Sequence, residues 1–300
     1  MKKPAWRKKL EGRAGEWLIR KLQRKLLRQS PEAAEKYGAK LGRRLFRVAK
    51  SRRERALSNL RLAFPELSES ERTSIAQKCL EHFGMITADF LQIPKRSQEY
   101  LQSTTEVVGV EHVKTALAQG KGVLAVTGHF GNWERLSTYL SLDGITMNVV
   151  ARDADDQGVQ GLVKEMRSFT GTKVLSRGNA AREIMRALKR GELVGLLPDQ
   201  NADEVFIPFF GQPAGTVLGP GVMHKRTGAP VIPVVCTRIG PGRYRTVVFP
   251  PLEPVPGYEI EEGIMRAFND FLEREIRKAP EQYLWFHDRW RNARKRGLIT

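Results

Sequence analysis

His129 and Glu134 stand five residues apart in Thr127-Gly-His-Phe-Gly-Asn-Trp-Glu134, a run that follows the apolar tetrad Val123 to Val126. On one continuous helix that spacing would point the two side chains ~140° apart. The pair can meet only if His129 sits on a strand-to-helix turn and Glu134 in the first turn of the helix. Gly128 and Gly131 would supply the backbone freedom and Asn132 the N-cap. The carboxylate would then accept from one imidazole nitrogen and fix the tautomer, leaving the other nitrogen as a general base. A histidine and a carboxylate without a serine suit a reaction whose nucleophile is the substrate's own hydroxyl. Free amides at the helix start would stabilise a developing oxyanion. The plainer reading is a histidine that ties down a turn and an acid favoured by the helix dipole. Two later segments weigh against it: Arg152 follows the run Thr146 to Val150, and Asp199-Gln200 follows Leu193 to Leu197. Taken singly, Arg152 suits a surface ion pair and Asp199 a cap or turn. Together with His129 they fall at carboxyl ends of strands, where open α/β sheets bind ligands.

The elements that must position these residues follow from periodicity. Residues 10–92 place apolar side chains three and four apart, predicting helices with breaks near Ser30-Pro31, Ser51 and Phe64-Pro65. Ser68 and Glu71 form a capping-box pattern ahead of the last of these. From residue 109, short apolar runs (123–126, 146–150, 193–197, 231–235, 246–249) alternate with helical stretches (131–142, 157–170, 179–190, 217–227). That alternation predicts an α/β fold: a largely parallel central sheet with helices on both faces and an N-terminal helical cap. A helix near 258–279 and the segment Pro280 to Trp290 close the chain. The expected division is a basic helical region at 1–60 and an α/β domain at 61–300.

Charge is concentrated rather than spread. Residues 1–60 hold 20 Lys/Arg and 5 acids, a net +15 of the total +18, and the other 240 residues carry only +3. A nucleic-acid-binding protein would continue its basic groups over the α/β body, so the balance argues against that class. Trp6, Leu10, Ala14, Trp17, Leu18, Leu22 and Leu26 fall on about half of a helix's circumference. A basic amphipathic helix of this kind suits an anionic membrane surface, and equally a helix packed on its own domain with a solvated basic edge. The longest uncharged stretch, Val205 to His224, is broken by three prolines and four glycines, so it predicts no membrane span. Two cysteines, Cys79 and Cys236, suit a reducing compartment, and the start of the chain has no signal-peptide pattern, which gives a cytoplasmic expectation. No nucleophile elbow, phosphate-binding loop, dinucleotide fingerprint or metal-ligand spacing occurs, so no metal or cofactor is expected.

The run His129-Phe-Gly-Asn-Trp-Glu134 closely resembles the late acyltransferases of lipid A biosynthesis, the lauroyl and myristoyl transferases of the glycerolipid acyltransferase superfamily, with its His-x4-Asp/Glu motif. The likeness covers most of the chain: Arg52 to Pro65, Leu188 to Glu192 with Leu197-Pro-Asp-Gln200, Phe206 to Gly211 with Ala229 to Pro233, and Pro280 to Trp290. Two departures stand out. The start is basic and amphipathic where members usually carry a hydrophobic anchor, and Arg152-Asp-Ala-Asp-Asp156 replaces the family's frequent Arg-Asn-Pro. The resemblance implies fatty acyl transfer from a thioester donor, usually acyl carrier protein, to a hydroxyl of a membrane glycolipid, most simply a lipid A precursor. It places the enzyme at the cytoplasmic face of the inner membrane, peripheral or monotopic. His129 would deprotonate the hydroxyl, and Glu134 would orient and charge-stabilise the imidazole. Arg152 and Arg167 would bind acceptor phosphate. Asp199, Gln200, Asn132 and Trp133 would shape the substrate-binding mouth. Val205 to Phe210 would line an acyl groove or form a buried strand, and Tyr283, Trp285, Phe286 and Trp290 would serve as core or as an interfacial girdle. A related set of enzymes acts on phosphatidylinositol mannosides, and a lysophospholipid acceptor is a further alternative.

Overall fold

The computed structural model describes residues 5–136, 144–150, 157–169, 171–175 and 179–299. Five helices precede the first strand: α1 (Ala5–Leu26), α2 (Pro31–Val48), α3 (Lys50–Ala63), α4 (Glu69–Leu91) and the short α5 (Gln98–Ser103). Their ends are set by local chemistry. The Ser30 hydroxyl accepts from the Ala33 N–H ahead of Pro31, and Ser68 with Glu71 forms the full capping box at the start of α4. The break expected near Ser51 falls at Ala49, where φ −91° and ψ 70° leave the helical region for one residue.

Helices α2 and α4 meet backbone to backbone. A Cβ on Gly84 would lie 2.1 Å from the Gly38 carbonyl oxygen, and one on Gly38 would lie 2.3 Å from that of Gly84. No side chain larger than hydrogen fits there.

The sheet has seven strands in the order β1-β9-β8-β2-β5-β3-β4. These are β1 (Thr105–Val108), β2 (Val123–Val126), β3 (Met147–Val150), β4 (Lys173–Leu175), β5 (Leu193–Leu196), β8 (Val231–Gly240) and β9 (Arg243–Val248), while β6 (Val205–Phe209) and β7 (Gln212–Thr216) form a separate antiparallel hairpin. All neighbours in the large sheet are parallel except β8 and β9. Along β2, Leu124 and Val126 enter one core cluster while Val123 and Ala125 enter another. Both faces of the strand are therefore covered, as a parallel sheet requires. Helix α6 (Val110–Ala118) packs on the second face. The first carries α3, α4, α8 (Ala180–Lys189), α9 (Gly219–Thr227) and α10 (Ile260–Lys278). Helix α7 (Gln157–Ser168) lies against α1, and α11 (Arg291–Lys295) ends the chain.

The five apolar runs expected as strands are β2, β3, β5, β8 and β9, and the fold is α/β as expected. Ile207 and Phe209 of β6 are buried in the main core, which favours the buried-strand reading of that run over an acyl groove. The apolar stripe of α1 divides: Leu26 is buried and Ile19 and Leu22 pack beside it against α4 and α7, whereas Trp17 and Leu18 are 58% and 61% exposed.

Candidate active site

Strand β2 pairs with β5 in parallel, with Val126 opposite Leu196. Three residues beyond each lie His129 and Asp199, so the register delivers them to the same spot at the carboxyl edge of the sheet. There the Asp199 carboxylate accepts twice from His129, from the backbone N–H at 2.8 Å and from Nδ1 at 2.7 Å. Asp199 is 3% exposed and His129 18%. A carboxylate can only accept, so Nδ1 carries the proton and Nε2 is the basic nitrogen. Gln200 Nε2 lies 3.4 Å from it and the Trp133 ring packs edge-on to the imidazole at 5.1 Å.

Burial opposes charge on both partners, yet each shifts the way an ion pair demands. The His129 pKa stands above its ordinary value, because the Asp199 charge and hydrogen bond and the Glu134 charge outweigh desolvation and the opposing Arg167. The Asp199 pKa stands below its ordinary value despite burial, through His129 and then Arg289.

The carboxylate on the imidazole is thus Asp199, seventy residues along the chain, in the place expected of Glu134. Glu134 receives a two-pronged hydrogen bond from Arg167, 3.0 Å and 2.7 Å, and acts on His129 through its charge. The reason is the turn itself. Gly131 takes φ +64° against the Cys236 carbonyl, and the next helical turn, at 133–136, carries Glu134 toward α7. Arg167, expected at acceptor phosphate, is engaged there by Glu134. Arg152 lies outside the described residues.

Asn132 caps the helical turn as expected, its side-chain oxygen accepting from the Arg135 N–H at 3.1 Å. It is 1% exposed, and its amide nitrogen donates to Asp89 at 2.9 Å, so both ends of the side chain are spent on the protein. The Gly131 and Asn132 N–H groups donate to the Gln282 and Cys236 carbonyls, which removes these two from the donors expected at an oxyanion. His82, buried in α4, hydrogen-bonds the Gly131 carbonyl at 3.1 Å.

Trp133, Glu134 and Arg167 line a narrow pocket over the sheet. Its walls are apolar: Val126, Met147, Val149 and Val234 among them. Gly195 belongs to the floor, where a Cβ would come within 2.8 Å of the Met147 methyl.

The C-terminal segment holds both loops of the site. Leu284 N–H donates to the His129 carbonyl, Phe130 bridges Tyr283, and the Asn201 N–H donates to His287 Nε2 at 3.1 Å. The sequence offers these aromatics as core or as an interfacial girdle and gives no spatial cue to this strap's grip on the His129 turn.

An imidazole backed by a buried carboxylate, beside an apolar pocket at the carboxyl edge of a parallel sheet, is an arrangement of the kind found at enzyme active sites in α/β folds. Residues 1–292 match the family of bacterial lipid A biosynthesis acyltransferases, and the chain belongs to that family and is an acyltransferase. It is 30% identical over 259 residues to the lipid A biosynthesis lauroyltransferase of Escherichia coli K12, covering 85% of this chain and 84% of that one. It is 29% identical to the palmitoleoyltransferase of the same organism (85% and 83% covered) and 24% identical to the phosphatidylinositol mannoside acyltransferase of Mycobacterium tuberculosis (70% and 68% covered).

Proposed function

We propose that this acyltransferase moves a fatty acyl group from an acyl carrier protein thioester to a hydroxyl of a lipid A precursor, at the cytoplasmic face of the inner membrane. The observation that carries the reading is the Asp199 bond to Nδ1, which leaves His129 Nε2 as the base beside the pocket. Nε2 takes the acceptor's hydroxyl proton as the oxygen attacks the thioester carbonyl. Collapse of the tetrahedral intermediate breaks the C–S bond, and the imidazolium returns the proton to the departing thiolate. Asp199 balances the imidazolium, and no covalent enzyme intermediate is needed. The apolar pocket takes the hydrocarbon of the donor. Glu134 and Arg167 form its polar rim, and Arg152 with Arg167 recognises acceptor phosphate. Gln200 and Trp133 line the approach to the imidazole.

The region 1–60 associates with the anionic membrane surface, and 61–300 is the catalytic domain. Among the described residues no helix is long and apolar enough to cross a membrane, which suits a peripheral or monotopic attachment. The relative that acts on a phosphatidylinositol mannoside supports another phosphoglycolipid as the alternative acceptor. The test is incubation with acylated carrier proteins and a panel of lipid A precursors, phosphatidylinositol mannosides and lysophospholipids, with mass spectrometry of the lipid. A mass gain of one acyl chain on a lipid A precursor alone is the expected outcome. Acylation confined to a mannoside or lysophospholipid would replace the acceptor, and none at all would overturn the reading.

A further inference from the structure

Helix α8 turns one face to the core and a charged one to solvent. Ile184, Ala187 and Leu188 are buried, while Arg182, Arg186 and Lys189 are exposed. Their spacings of four and three set these side chains in one row along the helix. The stretch 180–190 holds four basic residues and one acid, a net +3, as much as residues 61–300 carry altogether. Elsewhere on the body exposed cations are matched by carboxylates: Arg61 by Glu69, Lys225 by Glu261 and Arg245 by Glu106. Arg190 likewise pairs with Glu192 at 2.8 Å, whereas Arg182, Arg186 and Lys189 make no ion pair among the described residues. Helix energetics accounts for Arg186 and Lys189 in the last turn, where the macrodipole favours a cation. It does not account for Arg182 in the first turn, where the dipole favours the opposite charge.

The row begins at the catalytic edge of the sheet. Strands β4, β3 and β5 run parallel to β2, and α8 carries the chain from the carboxyl end of β4 back to the amino end of β5. The helix is therefore antiparallel to the strands, and its first turn, with Arg182, lies at the carboxyl edge that also holds His129 and Asp199. Arg186 and Lys189 follow over about 10 Å of helix. We propose that Arg182, Arg186 and Lys189 form the docking face for the acidic carrier protein that delivers the acyl thioester. The proposal rests on the reading of the donor as acyl carrier protein and adds where that donor binds. Charge complementarity selects the occupant: unmatched cations on a convex helix steer and orient an acidic protein surface without deep apolar burial, and its thioester arm then reaches over the edge to His129. A bilayer contact would need apolar depth as well, and between residues 179 and 190 no large apolar side chain is exposed, in contrast to Trp17 and Leu18 of α1.

The test compares the full-length protein with the triple variant Arg182→Glu, Arg186→Glu and Lys189→Glu, three exposed positions that leave the core untouched. Two quantities are measured: equilibrium binding of acyl carrier protein, and kcat and KM with the same acyl group carried either on that protein or on free pantetheine. The variant should bind the carrier protein at least about tenfold more weakly at low ionic strength, with KM for the acylated protein raised and kcat kept. The difference from the parent should shrink at high salt, and transfer from acyl pantetheine should match the parent. Equal affinity for the carrier protein in the folded variant would overturn the proposal, and so would an equal loss on both donors. Lost vesicle flotation with carrier binding intact would assign the row to lipid and overturn it as well. A parent enzyme that transfers from acyl pantetheine yet neither binds the carrier protein nor takes acyl groups from it would strike the donor reading itself, and the docking face with it.

Discussion

At the residue scale, the site works by dividing two carboxylates between two tasks. Asp199, buried and doubly hydrogen-bonded to His129, fixes the tautomer. Glu134, held by the Arg167 fork, contributes charge at longer range. His129→Ala and Asp199→Asn should therefore each cost ~10²–10⁴-fold in acyl transfer with the fold intact by circular dichroism. Glu134→Gln should cost at least about tenfold less than either, since it leaves the Nδ1 partner in place. Near-normal turnover in a folded Asp199→Asn enzyme would remove Asp199 from the mechanism. Gly195 makes a different kind of prediction. Its missing side chain leaves the floor of the pocket to the Met147 methyl, with only 2.8 Å for an added Cβ. Gly195→Val would intrude by two further methyls, so the enzyme should come to prefer donors about two to four carbons shorter, a competition between carrier-bound chains read by mass spectrometry. A proportional loss on all chain lengths would instead place the hydrocarbon elsewhere.

Element placement explains what was legible beforehand. The five strands read from sequence are runs of buried apolar side chains, and the capping box at Ser68 is a side-chain rule with one geometric solution. Strand β1 escapes the pattern because Thr105-Glu-Val-Val alternates weakly at the sheet edge, β4 because it is three residues long, and β7 because Pro213 and Gly215 interrupt it. The edge location of His129 and Asp199 followed from strand ends. Their pairing did not, because spacing along the chain favours Glu134, whereas the decisive fact is a register across the sheet. Equal offsets from Val126 and Leu196 become informative only once β2 and β5 are known to be neighbours. The glycine contact between α2 and α4 is also invisible in the sequence, since Gly38 and Gly42 of α2 lie more than forty residues from Gly84 of α4 and reveal nothing until the helices cross. It carries a clear consequence for stability. An alanine Cβ at Gly84 would stand 2.1 Å from the Gly38 carbonyl oxygen, so Gly84→Ala must push the two helices apart, and overpacking of this kind typically costs ~1–3 kcal/mol. Chemical denaturation should register that loss, while Gly161→Ala in α7, which meets nothing within 4 Å, should leave stability unchanged or raise it by up to about 1 kcal/mol through helix propensity.

At the scale of the whole molecule, residues 1–60 carry a net +15, and the part of this region from Glu16 onward lies on helices fastened to the body. Leu22 and Leu26 pack against α4 and α7, Arg20 pairs with Glu165, and Asn59 donates to the Trp285 and His287 carbonyls. The exposed side chains of this region mix apolar and basic groups: Trp17, Leu18 and Lys21 on α1, and Lys36, Lys40, Arg44, Arg47 and Val48, the last at 70% exposure, on α2. Lys21 lies over the Trp17 ring at 5.0 Å and Lys25 over Tyr37 at 4.2 Å, an arrangement of cations and aromatics suited to a lipid headgroup layer. Each surface Lys or Arg contributes ~1 kcal/mol at an anionic membrane and Trp17 with Leu18 adds apolar depth, so binding should depend on both lipid charge and salt. Deleting the segment is a poor probe, because it would strip Leu26 from the core. The double substitution Trp17→Ser with Leu18→Ser leaves that packing intact. In vesicle flotation the intact protein should float with anionic but not neutral vesicles and release at high ionic strength, and the double variant should bind at least tenfold more weakly at equal fold stability. Flotation insensitive to salt and lipid charge would mean a hydrophobically inserted anchor, whereas an unaffected double variant would assign the membrane contact to a surface other than the outward face of α1.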